Sequence, residues 1–144
     1  MRALGLDIGA TRVGVAVSDP AGIMASPVTV LDARRLAGDV RDLVRLVEDY
    51  EAEVLVIGLP LTMGGSEGPQ AEDVRAEAER LAQAVGLPVE YQDERLSSTE
   101  ARRAMHVAGM SEKEQRGSLD KVAAAIVLQG WLDSRRTAAR EGAR

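Results

Sequence analysis

The chain has no cysteine and no phenylalanine, one histidine, His106, one tryptophan, Trp131, and two tyrosines, Tyr50 and Tyr91. Without cysteine there is no disulfide framework and no thiolate metal site, and such usage suits a reducing compartment. A single histidine cannot build a histidine-rich metal centre. With so few aromatic rings there is little for the base stacking that reads single strands, so any nucleic-acid recognition would rest on backbone and shape. No apolar run approaches the roughly 20 residues that span a bilayer. In MRALGLDIG an acid stands where the apolar region of a signal peptide would run on, so the expectation is a soluble, cytoplasmic protein without membrane contact. The net charge of −5 supplies no bulk attraction for polyanions. Binding to nucleic acid would need local basic patches, such as Arg102 with Arg103, or Arg135, Arg136, Arg140 and Arg144. Surface arginines are more often simply solvated.

What is present is 144 residues, 45% apolar and 28% charged, enough for one domain with a sizeable core, since chains of this length bury roughly 70% of their unfolded surface. Residues 1–137 read as that domain and 138–144 as a basic C-terminal tail. Segments 3–8, 12–18 and 24–31 are rich in Val, Leu and Ile and are broken by Gly9-Ala10 and by Asp19-Pro20-Ala21-Gly22, which predicts a three-stranded antiparallel meander. From Asp39 to Tyr50 the apolar residues recur at helical spacing, with Leu36 in phase just before. VLVIGLP then reads as a strand buried on both faces, as in parallel sheets. A second helix is predicted from Pro69 to Val85, stopped by Gly86, and LPVEYQDE as a last strand. Two more helices are predicted over about 98–108 and 119–135, with GMSEKEQRG, 109–117, as an exposed connection. The order βββαβαβαα implies an α/β fold, a mixed sheet with helices packed on its faces.

Asp7 is the anomaly in this pattern. Side chains alternate in a strand, so Leu4, Leu6 and Ile8 share one face while Ala3, Gly5, Asp7 and Gly9 share the other. Asp7 thus points from a side cleared of bulk, and a buried carboxylate there needs a partner, a metal or hydrogen bonds, or it takes up a proton. Capping a turn is the ordinary use of a lone aspartate. Two further carboxylates weigh against that. At the end of the last strand, Glu94 alternates with Glu90 and Gln92 on the more polar face, at the carboxyl edge that ligands favour in open α/β sheets; Asp93 stays open as an alternative. Asp120 would be an acid in the first turn of a helix, favourable through the helix dipole by about 0.3 to 1 kcal/mol. It also aligns with Ala123, Ala124, Val127 and Trp131 on an inward stripe. Three carboxylates converging on one sheet edge suit hard divalent cations such as Mg²⁺, which prefer carboxylate and water oxygens and can activate a water at a phosphodiester.

Other motifs admit both a functional and an architectural reading. Arg12 follows the first strand in a tight turn, within reach of a phosphate beside Asp7. MGGSEGP leads into a helix N-terminus, where backbone N–H groups can hold phosphate, although a glycine-rich turn is the commoner meaning. Ser97 and Glu100 have the form of a capping box. Lys121 would steer a nucleic-acid backbone or balance the charge of Asp120.

DIGATRVGVAVSD, GLPLTMGGSEG at 58–68, DERLSSTEA and LDKVAAAIVLQGWLD together resemble, in the right order and over nearly the whole chain, the YqgF family, also called RuvX. The resemblance implies a ribonuclease H-like fold, a mixed five-stranded sheet with helices on both faces. It also implies a Mg²⁺- or Mn²⁺-dependent nuclease whose catalytic, metal-binding acids fall on Asp7, Glu94 and Asp120. Where family members often read DERLTT, this chain has Ser97-Ser98, which keeps the hydroxyls. Arg12, Arg95, Lys121, Arg102 and Arg103 are the expected nucleic-acid-binding residues. The family has been linked both to maturation of the 5′ end of small-subunit ribosomal RNA and to Holliday-junction cleavage, so the expected partner is a structured rRNA precursor or branched DNA, with a homodimer as a further expectation. Two other classes remain: a ribonuclease H-like module that binds without cutting, and an actin-like phosphotransferase, which would need two lobes where this length holds one.

Overall fold

A computed structural model describes residues 1–94 and 112–142, the last stretch by backbone alone as far as 118. Its elements are β1 (Ala3–Ile8), β2 (Arg12–Ser18), β3 (Ala25–Asp32), α1 (Ala33–Gly38), α2 (Arg41–Asp49), β4 (Val54–Leu59), α3 (Pro69–Val85), β5 (Val89–Asp93) and α4 (Glu112–Gly142). The helix expected over 98–108 lies outside the described residues. The five strands form one sheet in the order β3-β2-β1-β4-β5. Strands β1 to β3 are the antiparallel meander that the turn residues imply, and β4 and β5 add to the other side of β1 in parallel. Every residue of β4 is buried, as a strand covered on both faces requires.

The alternation read from β1 divides the core. Leu4, Leu6, Val13, Val15, Leu55 and Ile57 point to the face covered by α1, α2 and α3, where they meet Leu36, Leu43, Val74 and Leu81. Ala3, Ala16, Val54 and Val56 point to the opposite face and pack under Ala124, Leu128, Trp131 and Leu132 of α4. Fully burying a Leu or Val side chain contributes about 1.5 to 3 kcal/mol, so these two layers are the main source of stability. The α4 face is lined with small residues, which lets the helix sit close. A Cβ on Gly5 would stand 2.8 Å from Leu128 Cβ and 3.2 Å from the Ala124 carbonyl oxygen, and one on Gly14 would overlap the carbonyl of Asp120.

Two helices differ from the sequence expectation. The helix expected from Asp39 to Tyr50 is present as α2, but Leu36, in phase just before it, belongs to a separate short helix, α1, that was not expected. Asp39 is extended there, and its carboxylate accepts the Arg41 backbone N–H at 3.0 Å. That local bond offers the backbone an alternative to continuing the helix. The second difference is larger. α4 begins at Glu112 and runs to Gly142, so residues 112–117 are helix and not an exposed connection, and the helix outlasts Arg135. Glu, Lys, Gln and Arg are strong helix formers, and a polar stretch of them reads as loop only when apolar periodicity is the sole guide. Gly86 ends α3 as expected, in the left-handed region at φ 73° with its N–H on the Ala82 carbonyl.

Candidate active site

The site lies where the carboxyl ends of β1 and β5 meet the flank of α4. Asp7 is opposite Gly14 in the β1–β2 ladder and therefore projects toward α4 from the face that Gly5 and Gly14 leave clear. Glu94 directly follows β5, and its backbone N–H donates to the Leu59 carbonyl at 3.2 Å, which anchors it beside β4. Its side chain fills the place that a β4 side chain would otherwise take: a Cβ on Gly58 would lie 2.5 Å from Glu94 Oε2. Gly58 is thus a glycine because a carboxylate crosses over it.

Asp7 and Glu94 are half-buried and hydrogen-bonded to each other. Two carboxylates in contact cannot both ionise at ordinary cost. Burial raises the Asp7 carboxyl above its usual range, the hydrogen bond from Glu94 works against that rise, and the charge of Asp120 adds to it. On Glu94, burial, then the charge of Asp7 and the hydrogen bond to it, then Asp93, push the carboxyl up to about 9. At neutral pH the pair accordingly holds one proton, carried by Glu94 and donated to the Asp7 carboxylate.

Asp120 completes the group from α4. Because α4 starts at Glu112, Asp120 is the ninth residue of the helix, about 12 Å from its start at 1.5 Å per residue. The dipole effect fades within the first turn, so the expected reading of Asp120 as a first-turn acid does not hold. Its carboxylate instead accepts from Arg12 Nε at 2.7 Å, with the arginine side chain 63% and the aspartate side chain 25% exposed.

The structure therefore brings Asp7, Glu94, Asp120 and Arg12 together. Lys121 follows Asp120 on α4 and is half-buried. Arg95, Arg102 and Arg103 lie outside the described residues, as does the Ser97–Glu100 segment. At the C-terminal end of α4 the arginines have local partners: Arg135 stacks 4.6 Å from the Trp131 ring centroid and Arg136 pairs with Asp133 at 2.5 Å. The N-terminus of α3 has no side-chain cap but carries Glu72 in its first turn, which already supplies the negative charge that a phosphate would bring. The sequence reading missed Gly14 and Gly58, whose bareness shapes the site; a glycine inside a strand was the available signal. It also missed the Arg12–Asp120 ion pair, which joins residues 108 positions apart and leaves no local trace.

As a donor set these side chains offer oxygen only, which suits a hard divalent cation. Among the described residues no group of three His, Cys, Asp or Glu is gathered closely enough to hold a metal ion as it stands. Asp7 and Glu94 share a proton, while Arg12 draws Asp120 to itself. A buried acid pair that must hold either a proton or a cation is chemically suited to a metal, and these residues fit one on that ground.

The sheet order, α4 across its second face and the acids at the strand ends define a ribonuclease H-like α/β protein. Two solved structures share this fold: RuvC of T. thermophilus in complex with a Holliday junction substrate, with TM-score 0.59 and 15% identity over 95% of this chain and 96% of that one, and the fowlpox virus resolvase in complex with Holliday junction DNA, with TM-score 0.53 and 12% identity over 93% and 98%. The family described as RuvX, Holliday junction resolvase, matches residues 1–134. Relatives named "Putative pre-16S rRNA nuclease" include one from Moorella thermoacetica, 49% identical over 92% of this chain and 95% of its own length. Another, from Anaeromyxobacter sp. (strain K), is 48% identical over 94% and 98%. The chain belongs to the RuvX (YqgF) family of ribonuclease H-like nucleases. Among the described residues no helix is long and apolar enough to cross a membrane.

Proposed function

We propose that this protein is a metal-dependent nuclease that hydrolyses phosphodiester bonds in structured nucleic acid, with the 5′ end of a 16S rRNA precursor as its principal substrate. The observation that carries the reading is the hydrogen-bonded Asp7–Glu94 pair at the carboxyl edge of the sheet, with Asp120 and Arg12 beside it. Nothing in the fold demands two half-buried acids in contact, and strongly shifted acids in such a place are characteristic of working sites.

Asp7, Glu94 and Asp120 are the residues that would hold Mg²⁺ or Mn²⁺, and the ion would supply Lewis acidity toward a phosphoryl oxygen. The protein's own groups prepare that step. Glu94 must give up its proton before it can act as a ligand, so loading the site releases a proton. Arg12, paired with Asp120 while no metal is bound, presents a cation to an arriving backbone, and Lys121 follows Asp120 on α4. Arg95, Arg102 and Arg103, which lie outside the described residues, are assigned by sequence alone to further contact with the backbone. Because the chain is acidic overall, affinity should come from this local charge and depend on salt more than on base sequence. Work on ribosomal precursors would place the protein in the cytoplasm, and a homodimer is compatible with the single-domain chain.

The test is cleavage of a 16S precursor transcript and of a synthetic four-way DNA junction, with Mg²⁺ or Mn²⁺, by wild type and by Asp7→Asn. Release of the precursor's 5′ segment by wild type alone is expected. Cleavage of the junction only would assign the protein to recombination, the reading favoured by the family description. Binding without cleavage of either would make it a non-catalytic module.

A further inference from the structure

The loop between β4 and α3 is fastened on every side yet ends in a bare apolar side chain. Leu61 and Glu67 form an antiparallel bridge across it. Inside, the Thr62 N–H donates to the Ser66 carbonyl at 2.8 Å, the Gly65 N–H to the Thr62 carbonyl at 2.8 Å, and the two hydroxyls of Thr62 and Ser66 meet at 2.8 Å. From outside, Glu67 is salt-bridged to Arg75 of α3, whose guanidinium lies 4.3 Å from the Tyr91 ring centroid on β5. The loop is thus tied both to the helix that follows it and to the strand that delivers Glu94. At its tip Met63 is 90% exposed.

A lone exposed apolar residue is ordinary. Here its neighbour adds a second observation. Gly65 needs its glycine, with φ at 84°. Gly64 does not: its φ is not in the left-handed region, and a Cβ there would have only Thr62 Oγ1 near it, at 3.9 Å. Neither its φ nor the space around an added Cβ requires a glycine at 64. What the glycine leaves is clearance beside Met63, of the kind needed where another backbone approaches closely.

The loop's place names the partner. Leu59, whose carbonyl holds the Glu94 N–H, is four residues before Met63, so the tip stands at most about 14 Å of chain from the residue that anchors Glu94. At 3.4 Å per stacked nucleotide that bound corresponds to about four nucleotides measured from Leu59, on the same edge as the acid pair. Methionine is flexible and polarisable, and it is among the apolar side chains that proteins push between base steps. In a chain with no phenylalanine and both its tyrosines and its tryptophan committed elsewhere, it is, among the described residues, an exposed apolar side chain near this edge suited to that use.

We propose that Met63 is a wedge, held rigid by the Glu67–Arg75 tie, that enters between bases at a branch or at the end of a duplex and so directs cleavage to unstacked positions. The proposal rests on the nuclease reading, and its test is chosen to be decided without cleavage. Asp7→Asn protein is titrated against a synthetic four-way DNA junction, an RNA stem with a single-stranded 5′ extension, and matched uninterrupted duplexes, each with 2-aminopurine next to the branch or its equivalent. The fluorescence should rise on the first two probes only. Adding Met63→Ala or Met63→Gln should lower affinity for those probes roughly tenfold and abolish the rise, with duplex affinity changed less than about twofold, while Met63→Leu should keep both. The melting temperature should not move, since the side chain is exposed. Equal affinity for branched and uninterrupted probes in the Asp7→Asn protein, an equal loss on all probes, or a fluorescence rise that survives Met63→Ala would each overturn the wedge. Failure of wild type to cut any substrate would instead refute the nuclease reading and leave this binding result standing.

Discussion

Raising the pH without divalent cations should destabilise this protein by forcing a charge onto Glu94, which is half-buried, faces the charge of Asp7 and is hydrogen-bonded to it. Glu94 titrates near 9 in the folded chain, against 4.5 for an ordinary glutamate, so folding takes up a proton between those values. A raised carboxyl contributes its full stabilisation below about pH 4.5 and loses it progressively as the pH climbs toward 9. At about 1.36 kcal/mol per unit the shift would amount to roughly 6 kcal/mol. The site is only half-buried, and screening by solvent reduces this to about 1 to 3 kcal/mol. For a domain of this size that is about 3 to 10 °C in melting temperature. The comparison is Glu94→Gln, whose amide N–H donates to Asp7 at every pH and so imitates the protonated acid permanently. In EDTA, wild type and variant should melt together near pH 5, and wild type should fall behind by those degrees near pH 9. Carboxylates elsewhere titrate in both proteins and cancel from the difference. Millimolar Mn²⁺ should recover the wild type at high pH by taking the place of the proton, and should not help the variant equally. Parallel curves across the range, or a wild type that gains on the variant as pH rises, would refute the shared proton.

The other predictions concern the residues that bring this pair to the edge. Gly14→Ala should destabilise the fold by about 1 to 3 kcal/mol, because the added methyl meets the backbone of Asp120, and overpacking at a rigid contact has that cost; denaturant unfolding measures it, and nuclease activity should fall as α4 is pushed off Asp7. Arg12→Ala should change stability by less than about 1 kcal/mol, the pair being exposed, yet the salt dependence of nucleic-acid binding should become shallower by about one phosphate contact. Glu94→Gln should abolish cleavage while Asp93→Asn retains most of it; the reverse result would mean that the acid used lies on the other face of β5.

Much of this was legible in residue alternation. In β1 the pattern separates Leu4, Leu6 and Ile8 from Ala3, Gly5 and Asp7, and the two cores divide along that line. In β5 the same period puts Glu94 with Glu90 and Gln92, on the side of the sheet where α4 lies. Period-two signals survive because each strand side chain must choose a face. Helix limits were less legible. The polar start of α4 has no apolar stripe to announce it, and Asp39 breaks a helical period by a bond between neighbours that periodicity does not register. Individual ion pairs between distant residues were not legible, although the convergence of the three acids was. Arg12 in an exposed turn and Asp120 in a helix give no sign in the chain that they will meet.

The early start of α4 also changes what Asp120 means. As a first-turn acid it would have had a sufficient local reason to exist. Nine residues into the helix, it has none from the dipole, and an aspartate in a helix interior is mildly unfavourable. Its position follows instead from contact: the backbone of Asp120 rests on Gly14, Gly14 is opposite Asp7 in the ladder, and Arg12, two residues before Gly14 on the same strand, reaches the Asp120 carboxylate. One short stretch of β2 therefore sets both the depth at which α4 lies and the direction in which its acid points. The same device recurs on β4, where Gly58 gives its space to Glu94. Two strand glycines, each costing some backbone entropy, make room for two carboxylates from outside the sheet to join the one built into it. An arrangement that gives up strand stability to collect like charges at one edge is best explained by what those charges bind.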